Sequence, residues 1–403
     1  MRPDGRAAGS GAASGTRPGP EEEHAGFVRR LFAQQEGHWP TDPRALEELA
    51  ASRIGATAAA YVAGSAGAGA TEAANRAALD RWRLVPRILT GSTVRSLAVD
   101  LLGTRMPAPV LAAPVGVQGI VHPDGERATA RACAELGVPM VTSTMSSTPI
   151  EEVAAASGDG PRWFQLYWPN SDEIARSFLS RARATGHTVL VVTVDTMSLG
   201  WRPPILDQSF LPMLDGVGTA MFTSDPVFRA GLSATPEEDP RQAVEAWDRE
   251  LGTAGRTWDD LARLREWWSG PLLVKGVLHP EDARRVVDTG LDGIIVSNHG
   301  GRQVDGSVAA LDALVSVSRE IGDDVPLLFD SGIRNGADVI KALALGARAV
   351  LVGRPYVHGL GVGGAAGVRH VLEALLADLD VTLGLLGLHD VGQVGPDLVV
   401  PAP

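Results

Sequence analysis

Gly293-Ile294-Ile295-Val296-Ser297-Asn298-His299-Gly300-Gly301-Arg302-Gln303-Val304-Asp305 is the stretch that decides how the chain is read. Its first four residues are a short apolar run, the pattern of a strand buried on both faces. The run ends in a histidine, two glycines and an arginine. An imidazole can act as a base near neutral pH, and a guanidinium three residues on is a fixed fork for a carboxylate or phosphate. The glycines between them let the backbone turn sharply and leave room for a flat ligand to lie close. Either polar side chain alone reads as an ordinary loop residue. Packed together after a buried strand, they point to chemistry.

The same texture repeats from Pro109 onward. Val110–Ala113, Met140–Ser143, Trp163–Tyr167, Val189–Val194, Leu272–Lys275, Gly293–Ser297, Pro326–Asp330 and Ala349–Val352 are candidate strands. Helical patterns separate them: Glu126–Leu136, Ser171–Thr185, Pro280–Thr289, Leu311–Ile321 and Gly336–Leu345. Strand–helix alternation implies parallel strands with crossover helices. Eight units over about 260 residues predict an α/β fold, a (β/α)8 TIM barrel. A doubly wound sheet is disfavoured, because no Gly-x-Gly-x-x-Gly follows the first strand.

Around the barrel at 109–387, residues 1–25 read as a disordered tail rich in Gly, Ala, Ser and Pro, with no signal-peptide core. Residues 26–108 read as a helical and β extension packed on the barrel, with Ala45–Ala63 one Ala-rich helix and 64–69 a glycine-rich connector. Residues 388–403 read as a C-terminal tail. The interval 196–257 lacks periodicity and follows the end of the fourth strand, which predicts a lid over the active-site face.

Composition narrows the function. A net charge of −12 argues against nucleic-acid binding, and no apolar run approaches a membrane span. One cysteine, Cys133, precludes an internal disulfide framework and suits a reducing, cytoplasmic compartment. The histidines lack ligand spacing, so no metal site is expected.

Barrel enzymes carry function at the C-terminal ends of strands, and here those ends are polar although the interiors are apolar. The last two supply Gly332, Arg334, Gly353 and Arg354, a phosphate grip of two guanidinium groups and glycine amides. Lys275 ends an apolar strand and needs an anionic partner or a cofactor atom that becomes negative. Asp195 either orients His299 as in a general-base pair or caps the following segment.

Together, Ser297–Gln303, Leu273-Val274-Lys275-Gly276, Asp330-Ser331-Gly332-Ile333-Arg334 and Val352-Gly353-Arg354-Pro355 resemble the FMN-dependent α-hydroxy acid oxidases and dehydrogenases. Gln165-Leu166-Tyr167, Thr193-Val194-Asp195-Thr196, and Tyr61 with Asn75-Arg76 also match, so the likeness runs from about Leu46 to Gly387. The resemblance implies an FMN-binding barrel in which His299 is the base and Asp195 its partner. It implies that Arg302, Tyr61, Tyr167 and Arg202 bind the substrate carboxylate and hydroxyl, and that Lys275 stabilises the reduced flavin. Pro114, Val115, Gly116, Thr144, Gln165, Thr193 and Ser297 would line the ring; Asp330, Gly332, Arg334, Gly353 and Arg354 would hold the ribityl phosphate.

The implied activity is oxidation of a small (S)-2-hydroxy acid to a 2-oxo acid with oxygen as acceptor, in a soluble homotetramer. Leu199–Pro204 and Thr223–Phe228 are most similar to lactate 2-monooxygenases, so oxidative decarboxylation and dehydrogenation with another acceptor stay open. A flavin-dependent isomerase and a non-catalytic flavin-binding protein are the rivals from other classes. Three residues depart from the family pattern: Gly116 for Ala, Met145 for Trp, and Val62 for a second Tyr. Met145, Trp201 and the insertion are expected to face the substrate pocket.

Overall fold

Each of the eight apolar runs forms a strand, and the strands close into a parallel barrel in chain order. They are β1 Val110–Ala112, β2 Met140–Ser143, β3 Arg162–Leu166, β4 Leu190–Thr193, β5 Leu272–Val277, β6 Gly293–Val296, β7 Leu327–Phe329 and β8 Ala349–Val352, with β8 pairing back onto β1. This computed structural model describes residues 20–33, 39–91, 94–251 and 255–403.

Side chains alternate along a strand, so every second residue points to the barrel axis. Leu111, Val141, Trp163, Val191, Leu273, Ile295, Leu328 and Leu351, one per strand, form one buried apolar cluster. A hairpin of Val99–Leu101 and Thr104–Met106 adds Leu101 and Met106 to it and closes the end where the strands begin. The Trp163 indole donates to Thr104 Oγ1 at 3.0 Å across that junction. Two residues further on, the same parity brings up Ser143, Gln165, Thr193, Lys275, Ser297 and Asp330, all buried and all polar. The barrel thus carries a polar layer directly above an apolar one.

The extension holds four helices: α1 Pro20–Phe32, α2 Pro43–Arg53, α3 Ala56–Ala63 and α4 Ala70–Asp80. The Ala-rich run expected as one helix is two. Gly55 sits between them at φ 82°, a left-handed backbone that ends α2 and restarts the chain as α3. The expected N-terminal tail is corrected too: α1 begins at Pro20, and residues 1–19 lie outside the described residues. The C-terminal segment is also ordered, since Val399–Pro401 pairs antiparallel with Trp82–Leu84.

The insertion after β4 is not wholly irregular and carries four α-helices among its described residues. It contains Pro203–Leu206, Ala220–Thr223, Pro226–Ala230 and Pro240–Leu251. Most are too short to show a period, and three begin on prolines that suit a first helical turn. The last is amphipathic, with Ala243, Ala246 and Trp247 buried at helical spacing. The longest helix, Arg354–Leu385, is long and apolar enough by composition to cross a membrane. Here it kinks at Gly363 and Gly364 and buries Val368, Leu372 and Leu379 against neighbouring helices.

One buried charge ties the loops above β1 and β2. Glu126 is fully buried and accepts from Gln118 N at 3.1 Å, Ser147 N at 2.9 Å and Thr148 Oγ1 at 3.1 Å. Burial pushes its carboxyl above the ordinary value despite those donors. Glu126→Ala strands three buried donors and is expected to cost at least about 2 kcal/mol. Urea unfolding checks this: the midpoint falls at an unchanged slope, and an unmoved midpoint would show that the carboxylate ties nothing.

Candidate active site

Beyond β6 the chain makes a turn that few sequences permit. His299, Gly300 and Gly301 all have positive φ, at 58°, 65° and 77°. A left-handed backbone is strained for histidine and persists only where neighbours over-determine it. Here they do. His299 N donates to Ser297 Oγ, Gly300 N to Ser331 Oγ, and Gly301 N to Asn298 Oδ1. Asn298 and Asn75 of α4 exchange side-chain amide bonds at 2.7 and 2.8 Å. A Cβ on Gly301 would lie 2.7 Å from Glu72 N, so only glycine lets α4 pack this close.

The turn aims the imidazole at Asp195. Nδ1 lies 2.9 Å from Asp195 Oδ1. A carboxylate only accepts, so Nδ1 carries the hydrogen and Nε2 keeps its lone pair. Nε2 lies 3.5 Å from the Tyr167 hydroxyl. Burial pushes the imidazole below its ordinary value of 6.5, against the pull of Asp195, so it is neutral at neutral pH. Burial would raise the Asp195 carboxyl, yet His299, Lys275 and the Thr196 hydroxyl together hold it well below the usual carboxylate range.

Strand register places the lysine. Thr193 and Lys275 are partners across β4 and β5, so Asp195, two residues past Thr193, rises on the same side. At Gly276 the chain bulges at φ 110°, and a Cβ there would lie 2.5 Å from Asp195 Cβ. Lys275 Nζ reaches Ser297 Oγ at 2.9 Å, Asp330 Oδ2 at 3.3 Å and Asp195 Oδ2 at 3.9 Å. Burial alone would lower its ammonium; Asp330 and Asp195 outweigh that and raise it. Asp330, which the resemblance sets at the phosphate, is therefore the lysine's counter-ion in this structure.

Opposite stands a cationic wall. Arg302 donates to the carbonyls of Tyr61, Val62 and Gly64, at the C-terminus of α3. That end of a helix attracts cations, and it fixes the fork instead of leaving it wholly free. Arg202 donates to Arg302 O and Gln303 Oε1. Arg354 bonds Gly300 O at 2.9 Å and pairs with Glu72 at 3.3 Å. Burial and the neighbouring guanidiniums lower Arg302 and Arg354 to about 10, and burial lowers Arg202 and Arg334. Such crowding favours anions between them.

His299, Lys275, Asp330 and the arginines border one cavity of about 890 Å³, and Asp195 stands behind the imidazole. Pro114, Val115, Gly116, Thr193, Lys275, Gly332, Arg334, Gly353 and Arg354 line it with Tyr61, Tyr167, Arg202, His299 and Arg302. Gln165 and Thr144 lie behind, with Thr144 Oγ1 bonded to Gln165 O at 2.7 Å. Trp201, expected at the pocket, is instead 73% exposed. Met145 does line the cavity, and a methyl on Gly116 would come within 2.5 Å of its Cβ. Two departures from the family pattern thus touch. Sequence reading quoted Asn75, Asn298, Ser331 and Gln303 within its motifs without giving them a role and missed Glu72; their signal was polarity inside otherwise apolar or glycine-rich segments.

FMN fits these residues. Gln165 Nε2 and Thr193 Oγ1, both in the polar layer, are buried without a hydrogen-bond partner among the described residues, and a ring with donors and acceptors would satisfy them. At the far side Arg334, Arg354 and the Gly332 and Gly353 backbone would hold a phosphate.

Comparisons agree with this geometry. The model of the FMN-dependent dehydrogenase family matches residues 50–401. An FMN-dependent alpha-hydroxy acid dehydrogenase of Penicillium citrinum is 48% identical over 360 residues, covering 89% of this chain and 90% of that protein. An L-lactate oxidase of Lysinibacillus sphaericus is 40% identical over 342 residues, covering 85% and 88%. Among solved structures, a lactate oxidase of Pediococcus acidilactici superposes with a TM-score of 0.82 at 33% identity, covering 92% and 97%. A mandelate oxidase with (S)-4-hydroxymandelic acid gives 0.79 at 37%, covering 88% and 97%. With its barrel, its charged face and residues 50–401 matched, the chain belongs to the FMN-dependent dehydrogenase family.

Proposed function

We propose that this enzyme oxidises an (S)-2-hydroxy acid to the 2-oxo acid, with oxygen as the final acceptor. The observation that carries the reading is a neutral imidazole, backed by a carboxylate, facing a guanidinium wall across one cavity. The substrate carboxylate meets Arg302 and Arg202, whose remaining N–H groups are unspent, beside Tyr61. The carboxylate then lies across the cavity from Asp195, and the hydroxyl-bearing carbon is offered to His299 Nε2 and the Tyr167 hydroxyl. Bound FMN supplies the two-electron acceptor.

Asp195 favours proton uptake at His299, against burial and the positive charges of Lys275 and Arg202. At 2.9 Å from Nδ1 it stabilises the resulting imidazolium. Lys275 lines the same cavity, and its positive charge would stabilise negative charge on a bound cofactor. The L-lactate oxidases and the 4-hydroxymandelate oxidase among the relatives support oxygen as acceptor.

Anaerobic addition of lactate, glycolate and mandelate to the yellow holoenzyme tests the assignment. At least one should bleach it, and air should restore the colour; no bleaching by any of them sinks the reading. His299→Gln should retain FMN and lose roughly 10²–10⁴-fold in kcat, measured as the anaerobic reduction rate.

The pH profile follows from the imidazole. The base works unprotonated, and its folded pKa is lowered, so kcat/KM should fall on acidification with a midpoint below 6.5. Asp195→Asn removes the group that raises His299, so that midpoint should move further toward acid while kcat drops. A midpoint moving toward neutral would show that Asp195 does not act on the imidazole.

A further inference from the structure

The cavity is larger than the reacting groups need. Beyond Tyr167 it continues under the lid, where Trp168, Met213, Trp247, Leu251, Trp258 and Leu261 line it. The lid helix Pro240–Leu251 packs against the Pro212–Asp215 turn and brings Trp247 and Leu251 over this lobe. Trp168, Met213, Trp247 and Leu261 are each at most 8% exposed.

Its chemistry is one-sided. The nearby cation, Arg256, is largely committed: it stacks on Trp168 at 4.5 Å, donates to Pro169 O and pairs with Asp172 and Asp260, and only its buried Nε has no acceptor among the described residues. The other charges on the lining, Asp248 and Asp282, are exposed carboxylates. The indole N–H of Trp247 is buried and has no acceptor among the described residues. An apolar, acid-rimmed lobe of this kind repels a second carboxylate and is poorly filled by water. It suits an uncharged hydrophobic group, aromatic above all.

We infer that this lobe seats the substrate's side chain, and that the enzyme is built for 2-hydroxy acids bearing a long or aromatic uncharged side chain. The inference rests on the 2-hydroxy acid reading above. It also accounts for the insertion, whose amphipathic helix supplies one wall, and for Met145, a flexible side chain at the cavity wall.

The test uses the FMN-loaded enzyme. (S)-3-phenyllactate should exceed (S)-lactate in kcat/KM by at least about tenfold, since one methylene in an apolar pocket is worth about 10–200-fold. (S)-malate should fall below lactate. Binding without turnover gives a second readout. From the perturbation of flavin absorbance, 3-phenylpropanoate should bind at least about tenfold tighter than propanoate. Leu251→Phe and Leu261→Trp narrow the lobe, and each should shrink both ratios; Leu251 is only half-buried, so that variant tests the idea even if Leu261→Trp fails to fold. An enzyme that turns over lactate yet shows neither ratio, or whose ratios ignore both substitutions, overturns the subsite and leaves the 2-hydroxy acid reading standing. An enzyme bleached by none of these acids overturns both.

Discussion

A buried ammonium must be neutralised within a few ångströms, and the site is arranged around that demand. Lys275 stands in the polar layer of the barrel with Asp330 at 3.3 Å and Asp195 at 3.9 Å. One carboxylate would balance it. The second leaves the lysine and its two carboxylates acidic by one charge, with the His299 imidazole 2.9 Å from Asp195. Removing the lysine would leave two carboxylates in a low-dielectric space, each opposed to ionisation. The geometry of base, partner and counter-ion is therefore one electrostatic unit rather than three residues with separate tasks.

The second half of the site solves the opposite problem. Arg302 and Arg354 crowd on one wall, Arg302 held by carbonyl oxygens alone and Arg354 by a carbonyl and one carboxylate. Arg302 rests on the carbonyl end of α3, and Arg354 on Gly300 O and Glu72. A helix C-terminus offers about half a charge. The wall thus stays electropositive and ordered at once. Ordering before binding lowers the entropic cost of capturing a carboxylate or phosphate. The glycine-rich loop after α3 is stapled in place for this, with Ala66 N bonded to Gly301 O, Gly67 N to Trp201 O, and Ala68 N to Asp305.

Fold and chemistry meet in the two-residue period of the strands. One inward layer is apolar and fills the barrel; the next is polar and faces the cavity. That is why the barrel and most of the site were legible in the chain. Eight apolar runs, seven of them ending in polar or charged residues, can be read without any coordinates, and His299, Asp195, Lys275, Arg334 and Arg354 fall at those ends. Short helices are harder. Pro203–Leu206 and Ala220–Thr223 offer barely one turn, too little for a period of 3.6 residues to show.

The amino-acid order by itself determined the strand count, their parallel closure and the face on which chemistry collects, because side-chain alternation and apolar runs are local properties. Only the tertiary structure decided which charges neutralise which. Asp330 paired with Lys275, Arg302 docked on α3, and Asn75 locked to Asn298 are contacts between residues 55 to 241 positions apart. Nothing local specifies them, since each depends on how strands register and how α3 and α4 pack across the mouth of the barrel. The lobe under the lid belongs to the same class: its walls come from four separate segments, and its shape exists only once they are folded together.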